Sequence, residues 1–538
     1  MDWMYGCISE FIFAPDAPKM RMLILSIFSL SIAIMARGEP YQLYYHDGYT
    51  YSNSDMINLL GLKKLLVVDL QVYAGELQRT LHKVELAIEQ MDREVQQLEE
   101  GRVGRVFSAI KQFSLLRHLH LDWPQWLRFM RREVAPEWQK HAQALRPYLP
   151  SKVDFVEACK AVYILIDVYG LSVGDFSRGL INGKQYKSKR FGAMDCFALA
   201  RHGFERRYFD LAEAWFEAIA LTSDNYEINR VLGYSWALVL QLYARNLLNM
   251  NKKELALTVL QRASTLGIDD QSILRQLELL ERGDLKPTQG TTLLKIINFE
   301  HYVRGCRGLF DPPKGLSCHY DFHTHPVLRL APFKVEPLSQ DPYIAMYHDV
   351  IYDSEIEELK DNAFPDMERS KVYTYSDKDG KDTGRTSMSA FQTDHQYTAV
   401  TKVNRRVMHM TGFEVLADGS SDELLVLNYA TAAQYLTHSD YFGPAYSEYI
   451  QRGDRIATVL FYLNDVEQGG KTVFPRLGIF RSPMKGSAVV FYNLNSSLQG
   501  DPRTEHGGCP VLVGTKWAAT KWIYSAEQMF RWPCVDPK

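Results

Sequence analysis

The most regular hydrophobic pattern in the chain lies between residues 70 and 98. Leu70, Ala74, Leu77, Leu81, Val84, Ile88, Met91, Val95 and Leu98 follow one another in steps that alternate four and three. Such steps keep side chains on one stripe of a helix, the a/d seam of a coiled coil about four heptads long. Glu85, Glu89, Arg93 and Glu94 flank the stripe with charge. The spacing predicts a long helix that pairs with a second copy of the chain, against the plainer reading of an amphipathic helix packed on its own domain.

From residue 153 to residue 283 the apolar positions keep helical spacing and show little alternation. Residues 208–218 and 252–260 each place small and large apolar side chains as tetratricopeptide-like helix pairs do, 44 residues apart instead of the usual 34 or so. Tyr208, Trp215, Tyr226, Tyr234, Trp236 and Tyr243 concentrate here. Aromatic residues at helical spacing mostly form core. The remainder would line an aromatic groove suited to a stiff polyproline II peptide. Residues 284–290 (DLKPTQG) break the helical pattern as a linker.

Beyond that linker the period changes. Residues 424–429, 456–463, 487–492, 510–513 and 517–524 form short runs rich in β-branched and aromatic residues, separated by Gly, Pro and Asn-Asp turns. They predict an antiparallel sandwich or barrel such as a double-stranded β-helix. The expected fold is therefore multidomain. An all-α N-terminal half, coiled coil plus tetratricopeptide-like helices, is followed by a jelly-roll domain.

Composition narrows the class. At roughly 150 residues per domain, 538 residues make three or four domains. With 46% hydrophobic and 23% charged residues, the chain is neither disordered throughout, collagen-like nor a polytopic membrane protein. A net charge of −3 excludes a nucleic-acid partner held by bulk positive charge. Lys19 and Arg21 precede a charge-free run at 22–36, and Ala36-Arg37-Gly38 offers small residues for cleavage. This reads as a secretory signal, against an uncleaved anchor; the run is short for a span of about 20 residues. Translation starting at Met20 or Met22 would remove the long lead before it. The terminal Val535-Asp-Pro-Lys538 is not a KDEL-type signal, so residence in the endoplasmic reticulum would need another means of retention. Asn495-Ser-Ser is a glycosylation acceptor. The seven cysteines are too few for a disulfide scaffold, and secretion would place them in an oxidising compartment.

Two histidines and a carboxylate on one face of a β-core make an open facial triad for Fe(II), with H-x-D as its local signature. The signature occurs at His120/Asp122, His319/Asp321 and His438/Asp440. The first falls in a helical stretch, where residues two apart diverge by about 200°. The second belongs to an extended run with His323 and His325, whose side chains share one plane and do not close a site alone. The third follows a strand, where residues two apart share a face. His506, 68 residues on, is a third ligand candidate, and Lys516 beyond it is a counter-charge for a dicarboxylate.

Residues 453–466 (GDRIATVLFYLNDV), 469–475 (GGKTVFP) and 506–517 (HGGCPVLVGTKW) closely resemble the catalytic domain of collagen-type prolyl 4-hydroxylase α-subunits. A weaker resemblance extends through Asp195-Cys196-Phe197 to the N-terminal coiled coil, covering most of the mature chain. It implies His438, Asp440 and His506 as iron ligands. Lys516 and Tyr429 would hold the far carboxylate of 2-oxoglutarate, Tyr435 would face the substrate proline, and Trp522 would border the cosubstrate pocket. Lys521-Trp522 repeats Lys516-Trp517, which makes Lys521 a rival for the lysine role. Ser439 and Thr437 stand where relatives usually carry Phe and Pro, which bears on pocket packing. Trp236 and Leu242 lie in a diverged groove region.

The resemblance also implies disulfides Cys306–Cys318 and Cys509–Cys534, with Cys196 free and buried. For Cys509, a metal role is the alternative. The implied domains are a signal peptide at 1–38, a coiled-coil dimerisation domain at 39–145, a tetratricopeptide-like peptide-binding domain at 150–283, a linker with a disulfide at 284–335 and an Fe(II)/2-oxoglutarate dioxygenase domain at 336–538. The implied activity is 4-hydroxylation of proline in collagen-like or other proline-rich secreted chains, with L-ascorbate keeping the iron reduced. The implied assembly is an α2β2 tetramer with protein disulfide isomerase in the endoplasmic reticulum lumen. The alternatives are a catalytically silent module that binds proline-rich chains and a hydroxylase of non-collagen secreted proteins.

Overall fold

The structure is a computed structural model and describes residues 53–99, 122–186, 190–220, 235–267, 270–291, 299–370, 385–443 and 451–532. The signal-like run, His120, Tyr226, Tyr234 and Cys534 lie outside the described residues. The chain divides into two compact units near residue 150.

In the first unit, α1 (Asn53–Glu99) is 47 residues long. It contains no proline, and Leu, Lys, Glu and Gln favour the helix throughout. The 4-3 stripe lies along it: Leu70, Leu77, Leu81, Ile88 and Val95 are 47–67% exposed. Two shorter helices follow, α2 (Trp123–Met130) and α3 (Pro136–Ala144). His141 of α3 meets the buried Asp69 of α1 at 2.9 Å.

The second unit begins with helices. α4 (Lys152–Tyr169) starts at a capping box of Ser151 and Asp154, which satisfies otherwise orphaned N–H groups. α5 (Val173–Ser177), the short hairpin β1 (Leu180–Ile181) and β2 (Lys184–Gln185), α6 (Ala193–Glu205) and α7 (Phe209–Ile219) follow. α8 (Trp236–Asn249), α9 (Lys253–Leu266) and α10 (Gln271–Arg282) complete this part. Tyr163, Cys196, Phe197, Ala212 and Trp215 form the core joining α4, α6 and α7. Trp215 is fully buried and stacks on Phe191, so this aromatic belongs to the core and not to a groove. Trp236, Leu242 and Tyr243 pack half-buried against the same core.

The described residues form antiparallel sheets. The larger has nine strands in the order β3 (His319–Asp321), β4 (Phe333–Gln340), β5 (Tyr343–His348), β14 (Ala488–Tyr492), β10 (Arg455–Tyr462), β17 (Lys516–Tyr524), β8 (Leu424–Tyr429), β7 (Met388–Gln392), β6 (Glu368–Arg369). The second has four, in the order β13 (Ile479–Arg481), β12 (Thr472–Phe474), β15 (His506–Gly508), β9 (Tyr435–His438). β11 (Gln468–Gly469) pairs with β16 (Val511–Val513).

The central strands are apolar on both faces, as strands buried on both sides must be. Ala457, Val459 and Phe461 pack with Val490, Ala519 and Ile523 on one face. Ile356 and Leu359 of α12 (Asp353–Ala363) and Val403 and Val407 of α13 (Thr398–Thr411) cover that face. Alternation sends Thr458, Leu460, Phe491, Ala518 and Trp522 to the other face, which lines a cavity.

The disulfides differ from the expectation. Cys306 bonds Cys509, 203 residues away, and Cys318 is exposed and free. The reason is the seating of α11 (Phe299–Cys306) on the four-stranded sheet. Tyr302 is fully buried, its hydroxyl donates to the Gly508 carbonyl, and a Cβ on Gly305 would stand 2.9 Å from Val473. The helix end therefore arrives beside the end of β15, whereas Cys318 stands at β3, an edge strand of the other sheet. Cys159 and Cys196 are buried. This pairing predicts that non-reducing peptide mapping links the Cys306 peptide to the Cys509 peptide. Cys306→Ala or Cys509→Ala should lower unfolding stability by about 2–4 kcal/mol, and Cys318→Ala should change it little. A dominant Cys306–Cys318 peptide would contradict the seating of α11.

Candidate metal centre and its cavity

Two strands of the smaller sheet bring the triad together. β9 and β15 pair antiparallel, and His438 and His506 are direct cross-strand partners. Asp440 lies two residues past His438, on the same side. The ligating atoms of His438, Asp440 and His506 all fall within 4.8 Å of one another, and this is the one such group of three among the described residues. His438 Nε2 is 3.5 Å from Asp440 Oδ1, and His506 Nε2 is 3.8 Å from Asp440 Oδ2.

Backbone carbonyls set the tautomers. His438 Nδ1 lies 2.8 Å from the Leu436 carbonyl and His506 Nδ1 3.1 Å from the Thr504 carbonyl. A carbonyl only accepts, so each Nδ1 carries the proton and each Nε2 turns a lone pair inward. Burial lowers His506 to about 4, so its ring is neutral near pH 7. Burial alone would raise Asp440; positive charge beside it, on His506 and His438 when they are protonated and on Arg455, lowers its carboxyl well below the usual range. Two imidazole Nε2 donors and a carboxylate suit Fe(II).

The strand alternation that forms the cavity also separates the two lysines. On β17, Lys516, Ala518, Thr520 and Trp522 face the cavity. Lys521 points to the opposite face, where its Nζ donates to the Asp422 carbonyl. Lys516 is 4% exposed, and its nearest polar partner is the Thr472 hydroxyl at 3.4 Å. No acid reaches it among the described residues, and burial lowers it to about 7. Tyr429, its direct cross-strand partner on β8, lines the same cavity. Tyr435 stacks on the His438 ring at 3.6 Å. Trp522 walls the cavity, with its indole N–H buried and unpartnered among the described residues.

The rival motifs do not assemble. His319 is exposed, and Asp321 accepts backbone N–H bonds from His323 and Thr324, closing a local turn. Asp122 stands at the start of α2. Cys509 is in the disulfide, not among the candidate ligands. Ser439 is exposed, so its departure from Phe does not touch the cavity.

The structure adds residues that no local pattern marks. Arg385 is buried in the wall with its guanidinium 4.7 Å over the Tyr435 ring. Arg455 lies 4.0 Å over Trp522 and pairs with Asp422 at 2.8 Å. Thr458 and Thr472 line the cavity as well. Arg455 and Thr472 fall within the runs that carry the resemblance, yet only strand register shows which way they face.

Residues 52–183 match the family described as prolyl 4-hydroxylase alpha-subunit, N-terminal region, and residues 424–524 match the 2OG-Fe(II) oxygenase superfamily. The chain is 32% identical over 518 residues to prolyl 4-hydroxylase subunit alpha-1 of Rattus norvegicus, covering 91% of this chain and 96% of the relative. It is 30% identical over 516 residues to prolyl 4-hydroxylase subunit alpha-2 of Gallus gallus, covering 90% and 94%. Among solved structures, the viral collagen prolyl hydroxylase of Paramecium Bursaria Chlorella virus-1 in its 2OG complex matches 34% of this chain and 96% of its own, at 20% identity and a TM-score of 0.28.

The buried lysine yields a stability prediction. Between about pH 7 and the ordinary lysine value of 10.5, the unfolded chain holds a proton on Lys516 that the folded chain has released. Stability without added ligand therefore rises with pH across that window, and the full penalty is present below it. Lys516→Met should stabilise the chain by roughly 2–4 kcal/mol at and below neutral pH. The gain should vanish by about pH 10.5 in melting curves taken across the range. A gain that does not depend on pH would show that desolvation of the amine is not its source.

Proposed function

Because the chain belongs to the family of prolyl 4-hydroxylase alpha subunits, we propose that it hydroxylates C4 of proline in collagen-like or other proline-rich secreted chains. O2 and 2-oxoglutarate are consumed, and succinate and CO2 are released. The observation that carries this reading is the convergence of His438, Asp440 and His506 within 4.8 Å beside a cavity that buries Lys516 without an acidic partner. A catalytically silent copy has no need of that pairing.

Iron(II), when bound, supplies the activation of O2. The chain supplies three donors through His438 Nε2, His506 Nε2 and the Asp440 carboxylate. The buried Lys516 Nζ keeps its proton once a carboxylate lies against it, and so holds the distal end of 2-oxoglutarate. Tyr429, across the strand pair, donates to the same carboxylate. Tyr435 presents its ring to the substrate proline, and Trp522 keeps water from the cosubstrate pocket. L-ascorbate would be the reductant that keeps a metal held there ferrous.

The two sheets form a jelly roll, and α6 to α10 serve as a tetratricopeptide-like platform for the peptide; the half-buried Trp236 and Tyr243 support a groove there. The chain works as one subunit of a larger assembly, with protein disulfide isomerase as partner and retention device in the endoplasmic reticulum lumen. The exposed stripe of α1 joins two copies, since such an apolar ridge left in water invites aggregation.

His438→Ala, Asp440→Ala and His506→Ala should each abolish succinate release over a panel of proline-rich peptides, while His319→Ala stays near wild type. Lys516→Ala should raise the 2-oxoglutarate KM by about two to four orders of magnitude, on the order of the 3–5 kcal/mol that an unpaired buried charge costs. The same effect from Lys521→Ala instead would reverse the assignment of the two lysines. For the assembly, charged residues at Leu81 and Ile88 should halve the mass measured by light scattering without changing the melting of the catalytic domain. An active complex that still holds two copies of the variant would refute the seam.

A further inference from the structure

Asp440 is held from behind. The Thr458 hydroxyl donates to Asp440 Oδ2 at 2.7 Å, and Asn493 Nδ2 donates to the same Thr458 oxygen at 2.8 Å. Thr458 is 1% exposed and Asn493 is fully buried. Both sit on rigid backbone. Thr458 is on β10, directly opposite Phe491 of β14 and Trp522 of β17. Asn493 follows β14 and is fixed by its backbone bonds to Ile456 and Asp501.

The direction of these bonds matters. A threonine hydroxyl has one hydrogen. The Asn493 amide nitrogen can only donate, so it occupies a lone pair on the Thr458 oxygen. The hydroxyl hydrogen is then left to point at Asp440. The pair thus forms a directed relay, amide to hydroxyl to carboxylate, which fixes the rotation of the carboxylate about its own bond. Oδ2 is engaged, and Oδ1 stays turned toward His438 Nε2 at 3.5 Å.

Resting on the iron reading above, we infer that Thr458 and Asn493 are positioning residues. They preset the Asp440 carboxylate so that the metal meets a donor already oriented. The histidine ligands have their orienting partners in the backbone carbonyls of Leu436 and Thr504. The carboxylate has its own in this side-chain relay. Partners of this kind commonly contribute about 10- to 100-fold in metal affinity.

The test is Mn(II) binding, followed by the loss of the free-ion signal in electron paramagnetic resonance. It uses the full-length chain together with any subunit that co-purifies. Thr458→Val keeps the shape and removes the hydrogen bond, and should weaken Mn(II) binding about 10- to 100-fold. Thr458→Ser, which restores the hydroxyl, should bind within about threefold of wild type. Asn493→Ala, which frees the hydroxyl to turn away, should fall between them and carries the test if the valine variant does not fold. Asp440→Ala sets the floor. If wild type binds, Asp440→Ala does not, and a folded Thr458→Val binds like wild type, the relay is structural only and the inference fails. If wild type itself binds no Mn(II), the metal reading fails and takes this inference with it.

Discussion

The antiparallel pairing of β9 with β15 is the constraint on which the rest of the site depends. It sets His438 against His506, and a slip of one residue would turn one imidazole to the other side of the sheet. Short strands of three and four residues do not hold a register by themselves. Here the neighbours hold it. β12 pairs Thr472 with Gly508, the Cys509 N–H donates to the Lys471 carbonyl, and the Tyr302 hydroxyl donates to the Gly508 carbonyl. The approach is close enough that a Cβ on Gly507 would stand 3.1 Å from the Tyr302 ring and 3.2 Å from the Tyr435 carbonyl. The Cys306–Cys509 bond closes the same corner covalently.

That corner also joins the helices to the sheets. The Arg307 side chain, just past the disulfide, donates to the carbonyls of Asp167 and Val168 at the end of α4. The Tyr169 hydroxyl donates to the Pro510 carbonyl, one residue beyond Cys509. From the β1–β2 hairpin side, Lys184 and Tyr186 both reach Glu467, next to β11. The helical part of this unit is thus anchored to the segment that carries a metal-ligand candidate. A peptide held on those helices would share one frame with the metal centre, which suits the positioning that a reaction at one carbon requires.

The site keeps its charges at unequal cost. Arg455 is paired with Asp422 and stacked on Trp522, and Lys521 has a carbonyl and nearby acids. Lys516 has one hydroxyl and the faces of Tyr429 and Tyr462. A buried ammonium without a counter-ion destabilises the fold until an anion arrives. A carboxylate beside this one uncompensated amine would relieve that penalty.

Much of this was legible in the sequence because it is local or periodic. The 4-3 stripe of α1, the helical period up to residue 283 and the five apolar runs that became β8, β10, β14, β16 and β17 each report on neighbours along one element. The H-x-D spacing and the text around His506 identified the triad through resemblance, since period two puts His438 and Asp440 on one face. What pairs across the fold was not legible. The disulfide partner of Cys306 depends on where α11 lands. Which of the clustered aromatics are core, as Trp215 is, was not legible either, because helical spacing does not say which side of a stripe faces solvent. Lys516 and Lys521 share one strand, and spacing from His506 favours Lys516 without showing the face that either takes. Their opposite parities against Tyr429 and Asp422 show those faces once β17 has neighbours. Arg385 and the Asn493–Thr458–Asp440 relay carry no local signature at all. Sequence determines the period of each element and so the faces it can offer. Register between elements distant in the chain decides which faces meet, because it is set by packing and hydrogen bonding that the chain order does not encode locally.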